Sequence, residues 1–285
     1  MKRSDFRFLF RLRVRWAEID AQKIVFNGHY FMYFDTAMAD YWRALALPYP
    51  EAIERFGGDL YAKKASCEYH ASARYDDQLE VGIKCTRIGN SSIQFTLGIF
   101  RQDDHLITGE LIYVYADPKT QTSMPVPPEL REALMAFEEG KEMVQVRLGS
   151  WDELGEHAHA IRDEVFIVEQ SIPADMEWDE ADKTSLHAVA YNRFGMPLGT
   201  GRLLEHVPGV AKIGRMAALR TMRGGGVGRA VLGALGRAAR ERGYREGGLH
   251  AQTSAAAFYA RSGFQPRGPE FEEVGIPHIE MVKTL

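Results

Sequence analysis

The strongest constraint on the fold is one apolar helix pattern followed by four runs of alternating residues. The segment from about Gly28 to Leu47 is almost entirely aromatic and apolar, GHYFMYFDTAMADYWRALAL. Between Ser66 and Asp117, four stretches show the two-residue period of β-strands, and Asp-Asp or Gly-Asn turns separate them. One helix followed by four strands predicts an antiparallel sheet around a buried central helix, which is an α+β domain.

A further strand is predicted before this helix. In FLFRLRVRW, at residues 8–16, arginine recurs at every second position from Arg11 to Arg15. Because successive side chains of a strand point to opposite faces, the pattern predicts one solvated face and one apolar face. The apolar face comprises Phe8, Phe10, Leu12, Val14 and Trp16. The regular arginines also distinguish the segment from a signal peptide or a membrane anchor.

A proline-led, charged segment, MPVPPELREALMAFEEGKE, separates this region from a second pattern. It predicts a short helix that begins at Pro128 and ends at Gly140. From Val144 onward, strand and helix patterns alternate as in a mixed α/β domain. The 285 residues also exceed the length of an average single domain. We therefore expect two domains, at residues 1–140 and 141–285.

Composition excludes several classes of function. The sequence contains 35 Lys and Arg against 39 Asp and Glu, and neither half is strongly basic, so nucleic acid is not an expected partner. No apolar run reaches the roughly 18 residues of a membrane span, so no membrane partner is expected. The two cysteines, Cys67 and Cys85, have no CxxC spacing and no neighbouring histidine cluster. We therefore expect reduced thiols, a cytoplasmic protein and no bound metal.

A glycine-rich loop in the second half, MRGGGVGRAVLGAL, lies between a predicted strand and an amphipathic helix. Backbone amides at such a helix start are unobstructed by Cβ atoms and favour a phosphate or pyrophosphate. The loop lacks the ending of a P-loop, because Arg229 and Ala230 follow Gly228, and it also lacks the GxGxxG spacing of dinucleotide sites. It does match Arg-x-x-Gly-x-Gly, from Arg223 to Gly228.

This motif, with GRMAAL before it and AQTSAAAFYARSGF after it, resembles the coenzyme A cradle of the GNAT N-acyltransferases. The similarity extends over residues 144–285, where RDEVFIVEQSIP, WDEAD, LHAVA and GIPH resemble the ElaA branch. The resemblance implies a mixed α/β GNAT domain that uses acetyl-CoA as acyl donor and an amine as acceptor. It implies two groups of coenzyme-binding residues: the strand backbone beside pantetheine at Met216, Ala217 and Ala218, and the pyrophosphate-binding amides of Arg223, Gly224, Gly225, Gly226, Val227 and Gly228.

The same resemblance gives Tyr259 the role of protonating the departing thiolate. A phenol has an ordinary pKa of about 10 and is a suitable proton donor to a thiolate leaving group. The alternative is that Tyr259 belongs to the core, because it lies in the apolar stretch AAAFYA. A base must also accept the amine proton, and the sequence leaves five candidates open: Glu169, Glu177, Asp179, His187 and His250.

The first half contains a second unusual stretch, EIDAQKIVFNGHY, at residues 18–30. It places the carboxylate of Asp20 shortly before Asn27 and Gly28, where the apolar helix begins. A helix start supplies fixed amide donors for charge that develops on a carbonyl oxygen, and one such donor is typically worth ~3 kcal/mol to the transition state. A carboxylate across the cleft from such donors attacks the carbonyl carbon or activates water. The structural alternative is a loop aspartate and an ordinary helix N-cap at Asn27.

This stretch resembles the hotdog-fold acyl-CoA thioesterases of the 4-hydroxybenzoyl-CoA and YbgC type. The shared features are Asp-Ala, Ile-Val-Phe, a polar residue seven positions after the aspartate, and a tyrosine that begins the aromatic helix. YDDQLEV and GNSSIQF also match, and the resemblance covers roughly residues 8–125. It implies a hotdog fold, Asp20 as nucleophile or general base, and Asn27 and Gly28 at the amides that polarise the thioester carbonyl.

Two positions depart from the pattern of that family. The family usually has glycine where Lys23 stands and often histidine where Asn27 stands, which leaves specificity open. His29 does not replace that histidine, because it is displaced by two positions. In the family, two hotdog units pair side by side with each site at the interface, so we expect at least a homodimer.

Together the resemblances predict a bifunctional CoA-thioester enzyme. The first half is expected to hydrolyse acyl-CoA, and the second to transfer the acetyl group of acetyl-CoA to an amine. Two alternatives remain at this stage. Either the hotdog half is a non-catalytic dimerisation and acyl-CoA-binding module that serves the acetyltransferase, or the GNAT half senses CoA without an acceptor.

Overall fold

The computed structural model describes all residues, from Met1 to Leu285. The chain divides into two compact units, Met1–Met143 and Val144–Leu285. The change in sequence pattern after the proline-led segment lies close to this division.

The first unit is an antiparallel five-stranded sheet with one long helix, as the patterning predicted. Its strand order is β1-β3-β4-β5-β2. The elements are β1 (Phe8–Arg13), α1 (His29–Ala44), α2 (Tyr49–Phe56), β2 (Asp59–Tyr69), β3 (Gln78–Ile88), β4 (Ser92–Arg101), β5 (Asp104–Ala116) and α3 (Pro128–Glu138). The α+β expectation is therefore confirmed.

Helix α1 packs on the sheet through one face rather than through most of its surface. Tyr30, Phe34 and Tyr41 are almost fully buried, whereas Met32 and Asp35 are exposed. Its buried positions recur every three or four residues, which is the spacing of one helix face. The prediction that α1 is buried on most of its surface, which rested on its apolar composition, is therefore wrong within one unit.

Two strands of the first unit have bounds that differ from the predicted ones. Strand β1 ends at Arg13, because the chain turns into a short 3-10 segment in which the carboxylate of Glu18 accepts the backbone N–H of Arg15. Trp16 is consequently 77% exposed instead of facing the sheet. Strand β2 begins at Asp59 and ends at Tyr69, and the following segment leaves the sheet, where the N–H of Ala73 donates to the Tyr30 hydroxyl.

The second unit is a seven-stranded mixed sheet with helices on both faces. Its order is β11-β12-β10-β9-β8-β7-β6. The elements are β6 (Val144–Gly149), α4 (Trp151–Arg162), α5 (Ala174–Glu177), β7 (Leu186–Asn192), β8 (Pro197–Val207), β9 (Val210–Ala218), α6 (Val227–Glu241), β10 (Glu246–Gln252), α7 (Ala256–Arg261), β11 (Gln265–Glu273) and β12 (Ile276–Thr284). The segment Asp163–Glu169 continues α4 as a π-helix.

Alternation along the central strands explains the two helix layers. Val189 and Tyr191 of β7 belong to one core with Leu154, Ala158 and Ile161 of α4. The neighbouring positions of β7 face the opposite layer, because Ala188 pairs with Gly201 of β8 and a Cβ at Gly201 would collide with Leu235 of α6. Strand β11 was not predicted, since its exposed residues QPRGPEFEE show no apolar alternation, as is common at a sheet edge.

Strands β9 and β10 are parallel neighbours that separate along their length. Their register covers only Glu246–Gly248 of β10 against Val210–Lys212 of β9. Beyond Lys212, the side of β9 that faces β10 has no strand partner. A β-bulge near Arg215, which has a φ of 51°, further interrupts the pairing with β8 on the other side. The divergence opens the sheet where the predicted coenzyme-binding residues lie.

Candidate active sites

The glycine loop of the second unit adopts a conformation that requires glycine. Gly224 and Gly226 have φ values of 85° and 90°, which place both residues in the left-handed region that L side chains disfavour. Gly226 is the N-cap of α6. A left-handed residue turns neighbouring amides toward one side of the backbone, and such a turn forms an anion-binding concavity.

Most amides of this loop have no acceptor within the chain. The N–H of Arg223 donates to Arg220 O at 3.3 Å, and the N–H of Gly225 donates to Met222 O at 3.2 Å. The N–H groups of Gly224, Gly226, Val227 and Gly228 donate to no protein group. Four donors at the positive end of a helix are suited to a pyrophosphate.

The guanidinium group of Arg223 makes its hydrogen bonds with the protein chain. Its Nε donates to Ala218 O at 3.1 Å, and its two terminal nitrogens donate to the two carboxylate oxygens of Glu169 at 2.6 Å each. The bidentate pair ties the loop to the π-helical segment, and hydrogen bonds from Arg223 lower the pKa of Glu169. Glu169 is thereby occupied and is a weak candidate for the base.

The predicted coenzyme-binding residues come together around one cavity of about 430 Å³. All of them line it except Gly225, and the predicted acid Tyr259 lines it too. Sequence reasoning missed Arg229 and Arg261, which also line this cavity. Their guanidinium groups add positive charge beside the free amides. The signal for Arg229 was its place in the first turn of a helix that begins with a glycine loop.

A second cavity of about 360 Å³ adjoins the first and shares Met216, Ala255 and Tyr259 with it. The Tyr259 side chain is 8% exposed, and burial raises its pKa to about 12. Tyr259 thus remains protonated at neutral pH and lies between the two cavities. Three base candidates line the second cavity: Glu177, Asp179 and His250.

Two of these carboxylates belong to a buried ionic network. Arg162, only 1% exposed, donates to Glu177 at 2.6 Å and to Asp182 at 2.8 Å. Arg202 donates to Asp179 at 2.6 Å. Burial raises the pKa of Glu177, whereas for Asp179 the hydrogen bond and charge of Arg202 outweigh burial and lower the pKa.

The last two base candidates lie in different environments. His187 is 1% exposed, bonds to the backbone oxygen of Asp182 at 2.8 Å, and has a pKa lowered by burial. It lines neither cavity and is a core residue. His250 is partly exposed, and its Nδ1 lies 2.6 Å from Glu273 Oε1, with both residues in the second cavity.

In the first unit, Asp20 lies in a tight loop before α1. Its N–H donates to Ile24 O at 2.9 Å, and its carbonyl accepts the N–H of Lys23 at 3.0 Å. Its Oδ1 accepts the N–H of Gln22 at 2.7 Å. Lys23 has a φ of 61°, which is the conformation that explains the glycine found here in the resembling family.

The start of α1 presents the predicted amide donors. The N–H groups of Asn27 and Gly28 have no acceptor within the chain, whereas the N–H of His29 donates to Phe26 O at 2.9 Å. The N-cap is Gly28, with no side-chain hydrogen bond. The alternative in which Asn27 acts as an ordinary N-cap is therefore wrong, and its carbonyl accepts the Tyr69 hydroxyl at 3.3 Å.

Sequence reasoning missed Glu18, which anchors the loop. This carboxylate is 3% exposed and accepts the Tyr33 hydroxyl of α1 at 2.6 Å. It also accepts the N–H and Nε of Arg15, and its carbonyl accepts the N–H of Phe26 at 2.9 Å. Burial acts to raise the pKa of Glu18, but these hydrogen bonds outweigh burial and lower it.

Comparison with known proteins agrees with both predicted domain types. A thioesterase superfamily model matches residues 22–108, and an acetyltransferase (GNAT) domain model matches residues 145–285. The chain is 39% identical over 127 residues to the uncharacterized N-acetyltransferase YjcF of Bacillus subtilis strain 168, an alignment that covers 44% of this chain and 89% of that protein. The chain belongs to both families.

Two relatives match the thioesterase domain. A protein of Aquifex aeolicus strain VF5, named provisionally as an esterase, is 32% identical over 96 residues, which cover 34% of this chain and 74% of that protein. The acyl-CoA thioester hydrolase YbgC of Escherichia coli O6:H1 is 27% identical over 112 residues, which cover 39% of this chain and 83% of that protein. Thioesterase and acetyltransferase domains that use CoA thioesters are thus joined in one chain.

Three further features of the structure concern membranes, metals and cysteines. No helix is both long and apolar enough to cross a bilayer. The structure contains no cluster of three or more His, Cys, Asp or Glu side chains arranged to hold a metal ion. Cys67 and Cys85 are unpaired and partly buried.

Proposed function

We propose that the chain is a bifunctional CoA-thioester enzyme, with acyl-CoA hydrolysis in the thioesterase domain and acetyl transfer to an amine in the acetyltransferase domain. The observation that carries acetyl transfer is the place of Tyr259, which lies in the wall shared by two cavities. One cavity offers four free amides for a pyrophosphate, and the other contains candidate proton acceptors. Hydrolysis is supported by the free amides of Asn27 and Gly28 at the start of α1, after the Asp20 loop.

The transfer reaction follows from this arrangement. The amides of Gly224, Gly226, Val227 and Gly228 hold the pyrophosphate, and the unpaired side of β9 at Met216–Ala218 accompanies the pantetheine arm. The thioester then lies near Tyr259. The amine attacks the carbonyl carbon, the C–N bond forms, and the C–S bond breaks. Tyr259 donates its proton to the departing sulfur.

Hydrolysis uses the start of α1. The free N–H groups of Asn27 and Gly28 stabilise negative charge on the thioester oxygen. In one route Asp20 attacks the carbonyl carbon, the C–S bond breaks, and water then hydrolyses the acyl–Asp20 anhydride. In the other route Asp20 removes a proton from water, the water oxygen attacks the carbonyl carbon, and the C–S bond breaks. Both routes consume one water and release the carboxylic acid and the CoA thiol. Pairing of two thioesterase domains through the exposed outer edge of β2 completes the cleft around Asp20, so the proposal includes a homodimer. Sedimentation of the full chain tests this, and a monomer would contradict it.

The test of acetyl transfer follows the N-acetyl product by mass spectrometry across a panel of amines. We expect turnover by the wild type and a loss in kcat of about 10²–10⁴-fold in Tyr259→Phe, the range typical of a general acid. Tyr244→Phe, outside both cavities, is the matched control. Product formation by Tyr259→Phe at the wild-type rate would remove the assigned role.

The test of hydrolysis measures thiol release from a panel of acyl-CoAs without amine. We expect hydrolysis by the wild type and by the control Asp103→Asn, whose site is an exposed turn. Asp20→Asn should lose about 10²–10⁴-fold in kcat. Hydrolysis that persists in Asp20→Asn would contradict the assignment.

One observation favours a second function for the thioesterase domain, as a non-catalytic module for dimerisation and acyl-CoA binding. The Asp20 Oδ1 already accepts the N–H of Gln22, a bond typical of a structural loop aspartate. No hydrolysis by the wild type, together with measurable acyl-CoA binding by this domain, would select the second function.

A further inference from the structure

We propose that His250 is the general base of the acetyltransferase domain and that Glu273 holds it in the proton-accepting tautomer. This inference rests on the proposed acetyl transfer and names the group that receives the amine proton. It depends on a contact that joins β10 to β11: His250 Nδ1 lies 2.6 Å from Glu273 Oε1.

The contact determines which ring nitrogen is available. An ionised carboxylate only accepts hydrogen bonds. The proton of neutral His250 is therefore on Nδ1, and the Nδ1–H group donates a hydrogen bond to Glu273. The Nε2 of neutral His250 then has a free lone pair, and it has no hydrogen-bond partner within the chain. Phe271, 4.9 Å away between ring centroids in an edge-on arrangement, limits rotation of the imidazole. An oriented imidazole with a free nitrogen is the usual form of a general base.

His250 also lines the second cavity, which we call the acceptor cavity because the amine acceptor is proposed to bind there. Its side chain is 32% exposed, and it lines the same 360 Å³ cavity as Tyr259. Tyr259 in turn lines the coenzyme cavity. An amine in the second cavity therefore has a proton acceptor and the predicted position of the thioester in its surroundings.

The other candidates in this cavity are held by arginines. Glu177 accepts from Arg162 at 2.6 Å and is 3% exposed. Asp179 accepts from Arg202 at 2.6 Å and from Arg215 at 3.1 Å. For Asp179 the hydrogen bond and charge of Arg202 lower the pKa and so weaken it as a proton acceptor. Burial raises the pKa of Glu177 instead, and Glu177 is set aside because it is almost fully buried and its Oε1 is already bonded to Arg162.

No arginine holds His250 or Glu273. Besides Glu273, the charged group facing His250 across the ladder to β12 is Glu280, which is paired with Arg267. His206 also lies within the electrostatic range of Glu280. His250 is thus hydrogen-bonded to a carboxylate, whereas Glu177 and Asp179 are bonded to arginines. The same cavity is also lined by Arg202, Lys212, Arg215 and His278, and His278 Nδ1 bonds to the backbone oxygen of Ile276.

The proposed step balances as follows. The amine nitrogen of the acceptor attacks the thioester carbon, and its proton passes to His250 Nε2. The C–S bond breaks as Tyr259 transfers its proton to sulfur. The imidazolium then releases its proton to solvent, and the tyrosinate regains one. The net products are the N-acetyl amine and CoA thiol.

The test compares full-length wild type, His250→Gln and the control His206→Gln, whose site is an exposed part of β8 outside the cavity. N-acetyl product is measured by mass spectrometry, so hydrolysis in the other domain does not contribute. We expect kcat for alkylamines to fall about 10²–10⁴-fold in His250→Gln and to remain unchanged in His206→Gln. The rising limb of the kcat/KM–pH profile should disappear, and Glu273→Gln should show an intermediate loss.

A second class of amine acceptor distinguishes a catalytic role of His250 from a structural one. Aromatic amines are almost entirely unprotonated at neutral pH, so the loss in His250→Gln should shrink for them. Acetyl-CoA binding by calorimetry confirms that the variant is folded, and His250→Asn replaces it if binding is lost. A His250→Gln enzyme with wild-type kcat and pH profile would overturn the inference and leave the acetyltransferase intact. A wild type that acetylates no amine would instead overturn the proposed function.

Discussion

The two candidate sites differ in how each positions its chemical groups. In the acetyltransferase domain, a glycine loop, a separated strand and a buried tyrosine surround two adjoining cavities within one unit. In the thioesterase domain, a single carboxylate lies on a tight loop, and the chain then leads to two free amides at the start of α1. The first site is enclosed by several elements, whereas the second depends on one loop and on its anchor.

The difference shows two ways of making amide donors available. At Gly224 and Gly226, glycine accepts positive φ without a Cβ penalty. At Lys23, a side-chain residue adopts a φ of 61°, and the loop is retained by the hydrogen bonds of Glu18. In the first site, glycine itself favours the positive φ of the loop. In the second site, a lysine adopts a positive φ within a loop that the hydrogen bonds of the buried Glu18 carboxylate hold in place.

The largest predicted effect concerns the ionic network beneath the acceptor cavity. Arg162→Met retains side-chain volume but leaves Glu177 and Asp182 buried without this partner, which typically costs about 3–5 kcal/mol. We expect lower stability of the acetyltransferase domain and loss of acetyl transfer, with thiol release by the thioesterase domain retained. Hydrogen exchange during denaturant titration measures each domain, with the exposed Arg237→Met as control. Equal stability of the two variants would contradict the role of the network.

The next effect concerns the anchor of the Asp20 loop. The pKa of Glu18 is lowered in the folded protein, so its contribution to stability is complete above its ordinary pKa of 4.5 and is lost as pH falls through the lower folded value. Glu18→Gln should therefore cost about 1–3 kcal/mol at pH 7, and the difference from wild type should shrink below pH 4. Unfolding curves at several pH values test this. A pH-independent difference, or one matched by the exposed Glu68→Gln, would refute the assignment.

A smaller effect is expected where glycine conformation forms the cradle. Gly226→Ala forces a Cβ into a φ of 90° at the N-cap of α6, a strain of roughly 1–2 kcal/mol. No atom obstructs that Cβ, so the cost is conformational. Calorimetry should show about tenfold weaker acetyl-CoA binding. Gly236→Ala, in the middle of α6 and also unobstructed, is the control, and equal binding by both variants would exclude the proposed conformation.

The smallest effect is expected when glycine is introduced at a positive φ instead of being removed from one. Lys23→Gly relieves a positive φ but adds backbone freedom to the unfolded chain, worth roughly 0.5–1 kcal/mol, so we expect a net change in stability within about 1 kcal/mol and retained hydrolysis. Lys84→Gly, on an exposed position of β3, has no strain to relieve and should be destabilising. Thermal unfolding compares the two, and a larger loss in Lys23→Gly would show that the lysine side chain stabilises the loop.

The fold was readable from the sequence wherever patterns are local. The alternating stretches predicted between Ser66 and Asp117 correspond to β3, β4 and β5 nearly to their ends. Prediction failed for β11, an exposed edge strand without apolar alternation, and for Trp16, which a local turn removed from the strand. In both cases tertiary contacts replaced the periodic burial on which the prediction depended.

The sequence by itself determined the two domain types and the glycine loop before α6, because glycine conformation and helix starts are local properties of a chain. It also predicted Asp20 and Tyr259 as site residues. Only the tertiary structure decided which charged side chains are free to act. It paired Glu169, Glu177 and Asp179 with arginines that lie far away in sequence, and it joined His250 to Glu273. Proton affinity depends on burial and on neighbouring charges, and long-range packing sets both.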